Sequence, residues 1–207
     1  MTDLELRIDG AGPDRIVLAH GAGAPMDSPF LESVARGLVA RGIEVVRFEF
    51  SYRRARRAGG RRGPPDPERA LRAEWLEVIG RLGGATGLVI GGKSLGGRIA
   101  SLVADDCSPR GLVCLGYPFH PAGQPERLRT AHLVGLRTPT LIVQGERDAL
   151  GSRSEIAGYA LSSAIRLVFL EDGDHSFEPR VRSGRTHADN LDQATGAVAA
   201  FIRALGR

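Results

Sequence analysis

The chain has 207 residues, 42% of them hydrophobic and 25% charged, which lies within the range of one domain and is ordinary for a globular protein with a real buried core. Two cysteines, Cys107 and Cys114, make no disulfide framework, and no apolar run approaches membrane-spanning length. The net charge of +4 is carried by arginine, since Lys93 is the only lysine. Residues 1–14 are polar and mixed in charge, without the apolar centre of a secretory leader, so a cytoplasmic protein is expected. Residues 4–8 alternate apolar and polar, like an edge strand with one covered face. Residues 16–19 are continuously apolar, like a central strand buried on both faces, and run into His20-Gly21-Ala22-Gly23. Asp27 or Ser28 can cap a helix carrying Leu31, Val34, Ala35 and Leu38, with Gly42 past its end. Residues 43–50 form a further strand. After a basic, Gly/Pro-rich stretch, Asp66 caps a helix with Pro67 at its first position and Ala70, Leu71, Trp75 and Ile79 on one face.

Residues 87–90 are a short apolar strand. From Leu95 the apolar spacing turns helical, through Ile99, Leu102 and Val103. Between them stands Gly92-Lys93-Ser94-Leu95-Gly96, a G-x-S-x-G with strand before it and helix after it. That context exposes a serine on a sharp, strained turn, which needs the small residues Gly91, Gly92, Gly96 and Gly97 around it. Without the context, the same letters could be a packing turn or a phosphate-binding turn. Residues 112–115, 141–143 and 165–170 read as strands. Residues 126–136 and 154–161 read as short helices, and 190–205 as a closing amphipathic helix with Leu191, Ala194, Val198, Phe201 and Ile202 inward. Neither a repeat nor an interdomain linker interrupts residues 1–207. One α/β domain is expected, with a mostly parallel sheet of about seven strands and helices on both faces.

In such sheets ligands bind beyond the carboxyl ends of the strands. The residues standing there are His20-Gly21-Ala22, Ser94, His120, Asp148 and His175. Serine needs a base in hydrogen-bond reach, and the base needs an acid to fix its tautomer. His175 follows the last strand with a helix still to come, and is the expected base. His20 is expected to buttress its glycine turn, and His132 and His187 to be ordinary surface or capping residues. Asp148 and Glu146 compete as the acid; Asp148 is favoured because it lies farther along its loop. Asp172 and Asp174 are sequence neighbours of His175 in a tight turn and are discounted. The backbone N–H groups of Leu95 and Ala22 are the expected oxyanion donors. Gly21, Lys93 and His120 are expected at the substrate, and no metal or cofactor is expected.

These motifs together resemble a small alpha/beta-hydrolase: His-Gly-Ala-Gly, Gly-Lys-Ser-Leu-Gly-Gly, Gly-Glu-Arg-Asp and Gly-Asp-His-Ser-Phe occur in that family's order. The stretches at 92–98 and 173–177 resemble its dienelactone-hydrolase-like branch, which includes testis-expressed protein 30 and the NSL-complex regulatory subunit 3. The resemblance implies an acyl hydrolase with Ser94, Asp148 and His175 as triad, and an eight-stranded sheet trimmed here at its amino-terminal edge. Dienelactone hydrolases proper use cysteine where this chain has Ser94, so their lactone substrate does not carry over. The chromatin-assembly relatives keep a non-catalytic binding or scaffold protein as the alternative. Many relatives insert a cap domain after the strand at 112–115. Residues 116–139 suffice only for a loop and a short helix, so an open site for a small acyl substrate is expected. Arg53, Arg54, Arg56, Arg57, Arg61 and Arg62 are expected in a solvated, mobile loop rather than a nucleic-acid site. Neither nucleic acid nor membrane is expected as a partner, and the oligomeric state is left open.

Overall fold

Alternate strand residues separate into two apolar layers, one on each face of a single sheet. The computed structural model describes residues 4–60 and 63–206. In chain order the elements are β1 (Leu6–Asp9), β2 (Asp14–Ala19), α1 (Pro29–Val39), β3 (Ile43–Phe48), α2 (Ser51–Arg57), α3 (Glu68–Arg81), β4 (Leu88–Lys93) and α4 (Leu95–Cys107). They continue with β5 (Gly111–Leu115), β6 (Thr140–Gly145), α5 (Arg153–Ile156), β7 (Ile165–Leu170) and α6 (His187–Ala204). The seven strands lie in the order β1-β3-β2-β4-β5-β6-β7. Only β1 is antiparallel, pairing with β3 at the edge of an otherwise parallel sheet.

Ile16 and Leu18 join Val45, Val89, Val113 and Leu141 under α1 and α6. Their neighbours Val17 and Ala19 join Val46, Ile90 and Ile142 under α3 and α4. This period of two, without polar interruption, is what burial on both faces requires. Trp75 of α3 is fully buried, edge-on to Phe48 at 4.8 Å, and its indole N–H donates to the Gly96 carbonyl at 3.3 Å. So α3 braces the start of α4. Emptying that position would cost about 3–5 kcal/mol.

Ser28 caps α1, and Gly42 lies past its end with φ 77°. Other expectations need correction. The arginine stretch is not a mobile loop: residues Ser51–Arg57 form α2. Glu74 accepts from the Ser51 N–H and hydroxyl, both at 2.7 Å, and Arg57 pairs with Asp27 at 2.9 Å and Glu49 at 2.7 Å. Those partners are distant in sequence, so the local pattern does not show them. Arg61 and Arg62 lie outside the described residues. Asp66 does not cap α3, whose N-cap is Pro67; its carboxylate accepts from the Ser51 hydroxyl at 3.1 Å and ties α2 to α3. The expected helix at 126–136 is only a 3-10 turn, Ala131–Leu133, because tertiary bonds take its backbone: Arg129 N–H donates to Phe119 O at 2.7 Å, and Arg129 O accepts from the Tyr117 hydroxyl at 2.9 Å. The helix at 154–161 is shortened to α5, started by a Ser152–Glu155 capping box. Among the described residues, no helix is long and apolar enough to cross a membrane.

Candidate active site

Strand β2 sits between β3 and β4, so the chain order reverses there and the loops leaving β2 and β4 diverge. Ser94 stands at that point, directly after β4. Its backbone has φ 50° and ψ −114°, a conformation that costs a non-glycine residue about 1–3 kcal/mol. The surroundings hold it there. The Ser94 N–H donates to Leu115 O at 3.0 Å, and the Ser94 carbonyl accepts from Arg98 N–H at 2.9 Å as the first helical bond of α4. A side chain at Gly96 would overlap the Ala19 carbonyl, and one at Gly97 would come within 2.6 Å of Gly92 O. The first turn of α4 therefore lies against the strands, and its N–H groups have no acceptor within the helix.

The loops after β6 and β7 bring two further groups to Ser94. Its Oγ is 2.9 Å from His175 Nε2, and His175 Nδ1 is 2.7 Å from Asp148 Oδ2. A carboxylate only accepts, so Nδ1 carries the ring proton and Nε2 turns its lone pair to the serine hydroxyl. Asp148 is fully buried, while the His175 side chain is 29% exposed. The Leu150 N–H donates to Asp148 Oδ1 and the Gln144 amide to Oδ2, both at 2.8 Å.

The competing acids are engaged elsewhere. Glu146 accepts from Asp172 N–H at 3.1 Å and Arg153 at 2.6 Å, and these two partners hold its carboxyl below the usual range. Asp172 pairs with Arg180 and Arg147. Asp174 accepts from Ser176 N–H at 2.7 Å and Glu178 N–H at 2.9 Å, closing its own turn.

The other expected site residues divide. Gly21 lies against the serine: a Cβ there would sit 3.6 Å from Ser94 Cβ. Ala22 follows it, and its carbonyl accepts from the Tyr52 hydroxyl at 3.3 Å, which fixes that peptide. Leu95 opens α4. His20 buttresses the turn: its Nε2 accepts from Phe50 N–H at 3.1 Å and its Nδ1 donates to Gly21 O at 2.6 Å. Burial lowers its pKa, which keeps the ring neutral and lets Nε2 accept.

His120 and Lys93 are not where a substrate contact requires them. His120 is 2% exposed; Nδ1 donates to Pro121 O at 2.8 Å, and Nε2 finds only Glu155, at 3.5 Å. Its N–H donates to Leu150 O at 3.2 Å, so it braces the Asp148 loop from within. Lys93 is buried too. Its ammonium donates to the His175 carbonyl at 2.6 Å and lies 5.4 Å from the Phe30 ring centre. The lysine beside Ser94 therefore anchors the histidine loop. His132, expected at the surface, is half-buried and bonds the Ser101 hydroxyl at 2.8 Å.

Burial pushes the Lys93 pKa down to about 8, against about 10.4 in an unfolded chain. Between those values the unfolded chain binds more protons than the folded one, so this group makes stability rise with pH. Wild type should therefore gain stability relative to Lys93→Met between pH 8 and about 10. Urea unfolding of both proteins at each end of that window checks the sign; a falling difference refutes it.

Gln144 is the functional residue that sequence reasoning missed. Fully buried, it accepts from Tyr117 N–H at 2.8 Å, and its Nε2 shares two N–H groups among three acceptors, Asp148 Oδ2 at 2.8 Å, Tyr117 O at 3.1 Å and Gly151 O at 3.1 Å. The available signal was a single amide closing the apolar run Leu141-Ile142-Val143. Such a group is tolerated in a core only when its hydrogen bonds are met.

Over residues 13–203 the chain matches the family described as Alpha/beta hydrolase domain, and it belongs to that family. Solved structures share the architecture. A dienelactone hydrolase from Anabaena variabilis is 19% identical with a TM-score of 0.75, over 99% of this chain and 93% of that one. Est1E from Butyrivibrio proteoclasticus, solved with ferulic acid, is 16% identical with a TM-score of 0.72, over 97% and 94%. A serine hydrolase without lid from Xanthomonas campestris is 21% identical with a TM-score of 0.65, over 97% and 88%. At these identities the likeness is one of fold.

Proposed function

We propose that the protein is a cytoplasmic serine hydrolase that cleaves a small carboxylic ester, thioester or related acyl bond through an acyl-enzyme on Ser94. The observation that carries this reading is the continuous proton path: Ser94 Oγ to His175 Nε2 at 2.9 Å, and His175 Nδ1 to Asp148 at 2.7 Å. Ser94 Oγ attacks the acyl carbon while its proton passes to His175 Nε2. Asp148 stabilises the imidazolium that forms. The N–H groups of Leu95 and Ala22 receive the oxyanion, with Ala22 held by Tyr52. His175 then protonates the leaving alcohol or thiol as its bond to the acyl carbon breaks. Water, deprotonated by His175, attacks the acyl-enzyme, and the proton returns to Ser94 as the acid leaves. Resemblance to a protein described as a serine hydrolase without lid supports this reading.

A fluorophosphonate reproduces the first half of this cycle and stops there. It should label Ser94 and no other serine, with the adduct located by mass spectrometry. Well-folded protein that stays unlabelled would instead support the non-catalytic scaffold.

A further inference from the structure

Beside the residue 21–23 turn, α2 walls a cavity of ≈ 860 Å³ lined by Arg53, Arg56 and Arg57 together with Gly23, Pro25 and Asp27 and, past the end of α2, by Gly59, Gly60 and Gly63. Asp27 and Glu49 both pair with Arg57, so that group of three carries one negative charge and Arg57 is not free for an anion. Arg53 and Arg56 are half-buried, and among the described residues neither has a carboxylate within 4.0 Å. Arg56 instead lies over the Tyr52 ring, 4.9 Å from its centre. Two partly desolvated guanidinium groups without a counter-ion favour an anion between them, and a guanidinium binds carboxylate or phosphate in a forked pair of bonds.

Neither Ser94 nor His175 lines the cavity; the turn at residues 21–23 leads from one to the other. Gly23 on its rim is two residues from Gly21, whose Cβ position lies 3.6 Å from Ser94 Cβ. Two peptide steps span at most about 7.6 Å, so the rim is on the order of 10 Å from Ser94. Tyr52 links the two places, with its hydroxyl on Ala22 O and its ring under Arg56. The volume is that of a small-molecule site, which suits one anionic group rather than a polymer backbone.

We infer that the Arg53–Arg56 cavity is the distal half of the substrate site and takes a carboxylate or phosphate borne by the substrate at the end remote from the reacting carbonyl. The placement on a substrate rests on the Ser94 hydrolase reading; the binding of an oxyanion does not. Two measurements separate them. The first compares kcat/KM for mono-p-nitrophenyl suberate and p-nitrophenyl octanoate, which differ by one terminal carboxylate. Wild type should prefer the suberate by about tenfold or more at low salt, with the preference shrinking as salt screens it. Arg53→Gln/Arg56→Gln should lose that preference, after circular dichroism confirms the fold. The second is calorimetric titration with suberate and with inorganic phosphate, which needs no turnover. Wild type should bind at least one of them and the double variant neither; the tighter of the two identifies the anion. Wild type that shows no ester preference and binds neither anion overturns the inference. So does a double variant that keeps both, or a wild type that binds an oligonucleotide far more tightly than either small anion. If neither ester is turned over, the hydrolase reading fails and the titration alone decides the anion site.

Discussion

Ser94→Ala should lower kcat on an activated ester by about ten-thousandfold or more while leaving the fold intact. Removing the nucleophile of a serine protease costs about a millionfold, and the remaining oxyanion donors and binding contacts account for what is left. A loss of that size is about 5 kcal/mol or more of transition-state stabilisation. Stability should separate two inactive variants. Alanine keeps the Cβ that makes φ 50° unfavourable, whereas glycine removes it. Ser94→Gly should therefore be more stable than Ser94→Ala by about 1 kcal/mol, after the extra entropy of an unfolded glycine is subtracted. Chemical denaturation of both, beside steady-state kinetics, checks the pair. An alanine variant within tenfold of wild type would remove Ser94 from the chemistry.

Asp148→Asn should lower kcat by on the order of a hundredfold or more, and Glu146→Gln should change it little. The asparagine is nearly isosteric, so the loss has an electronic cause. Its Oδ2 position already receives the Gln144 amide and the His175 ring. An NH2 placed there donates instead of accepting. It drives the ring proton from Nδ1 to Nε2, where it meets the serine hydroxyl with no lone pair to offer. Glu146 faces Arg153 and the Asp172 N–H, away from the ring. Parallel kinetics on one activated ester, with circular dichroism on both variants, decide the assignment. A large loss in the glutamine variant beside a normal asparagine variant would reverse it.

Legibility followed the range of the interaction. The β4–Ser94–α4 turn is written locally: a buried strand, four small residues and a helical apolar period fall within one short stretch. The strands after Ser94 are also local signals; the rule that sites gather at carboxyl ends pointed to His175 and narrowed the acid to Asp148 or Glu146, and the distance along the loop favoured Asp148. Helix α2 was not legible because only Tyr52 of it is buried, and its turns are held by Glu49, Asp27 and Glu74 from other elements. Lys93, expected at the substrate, turns the other way. Strand geometry sends successive side chains to opposite faces, and Lys93 goes to Phe30 and the His175 loop. Gln144 stands alone as an amide at the end of its apolar run, and only the folded chain brings Tyr117, Asp148 and Gly151 around it.

The short connection between β5 and β6, with a single 3-10 turn in it, bears on the timing of turnover. Where a cover must swing aside, its opening sets the clock, and kcat falls as the solvent thickens. Among the described residues that connection holds no larger element and the His175 side chain stays 29% exposed, so on the acyl-hydrolase reading chemistry rather than opening is expected to limit turnover. Turnover of the acyl-enzyme should ignore added viscogen, and the rate should show no jump when substrate begins to form micelles. On the same reading, this face leaves an acyl group on Ser94 open to any small nucleophile in solution. Added methanol should therefore draw off methyl ester in proportion to its concentration, in competition with water.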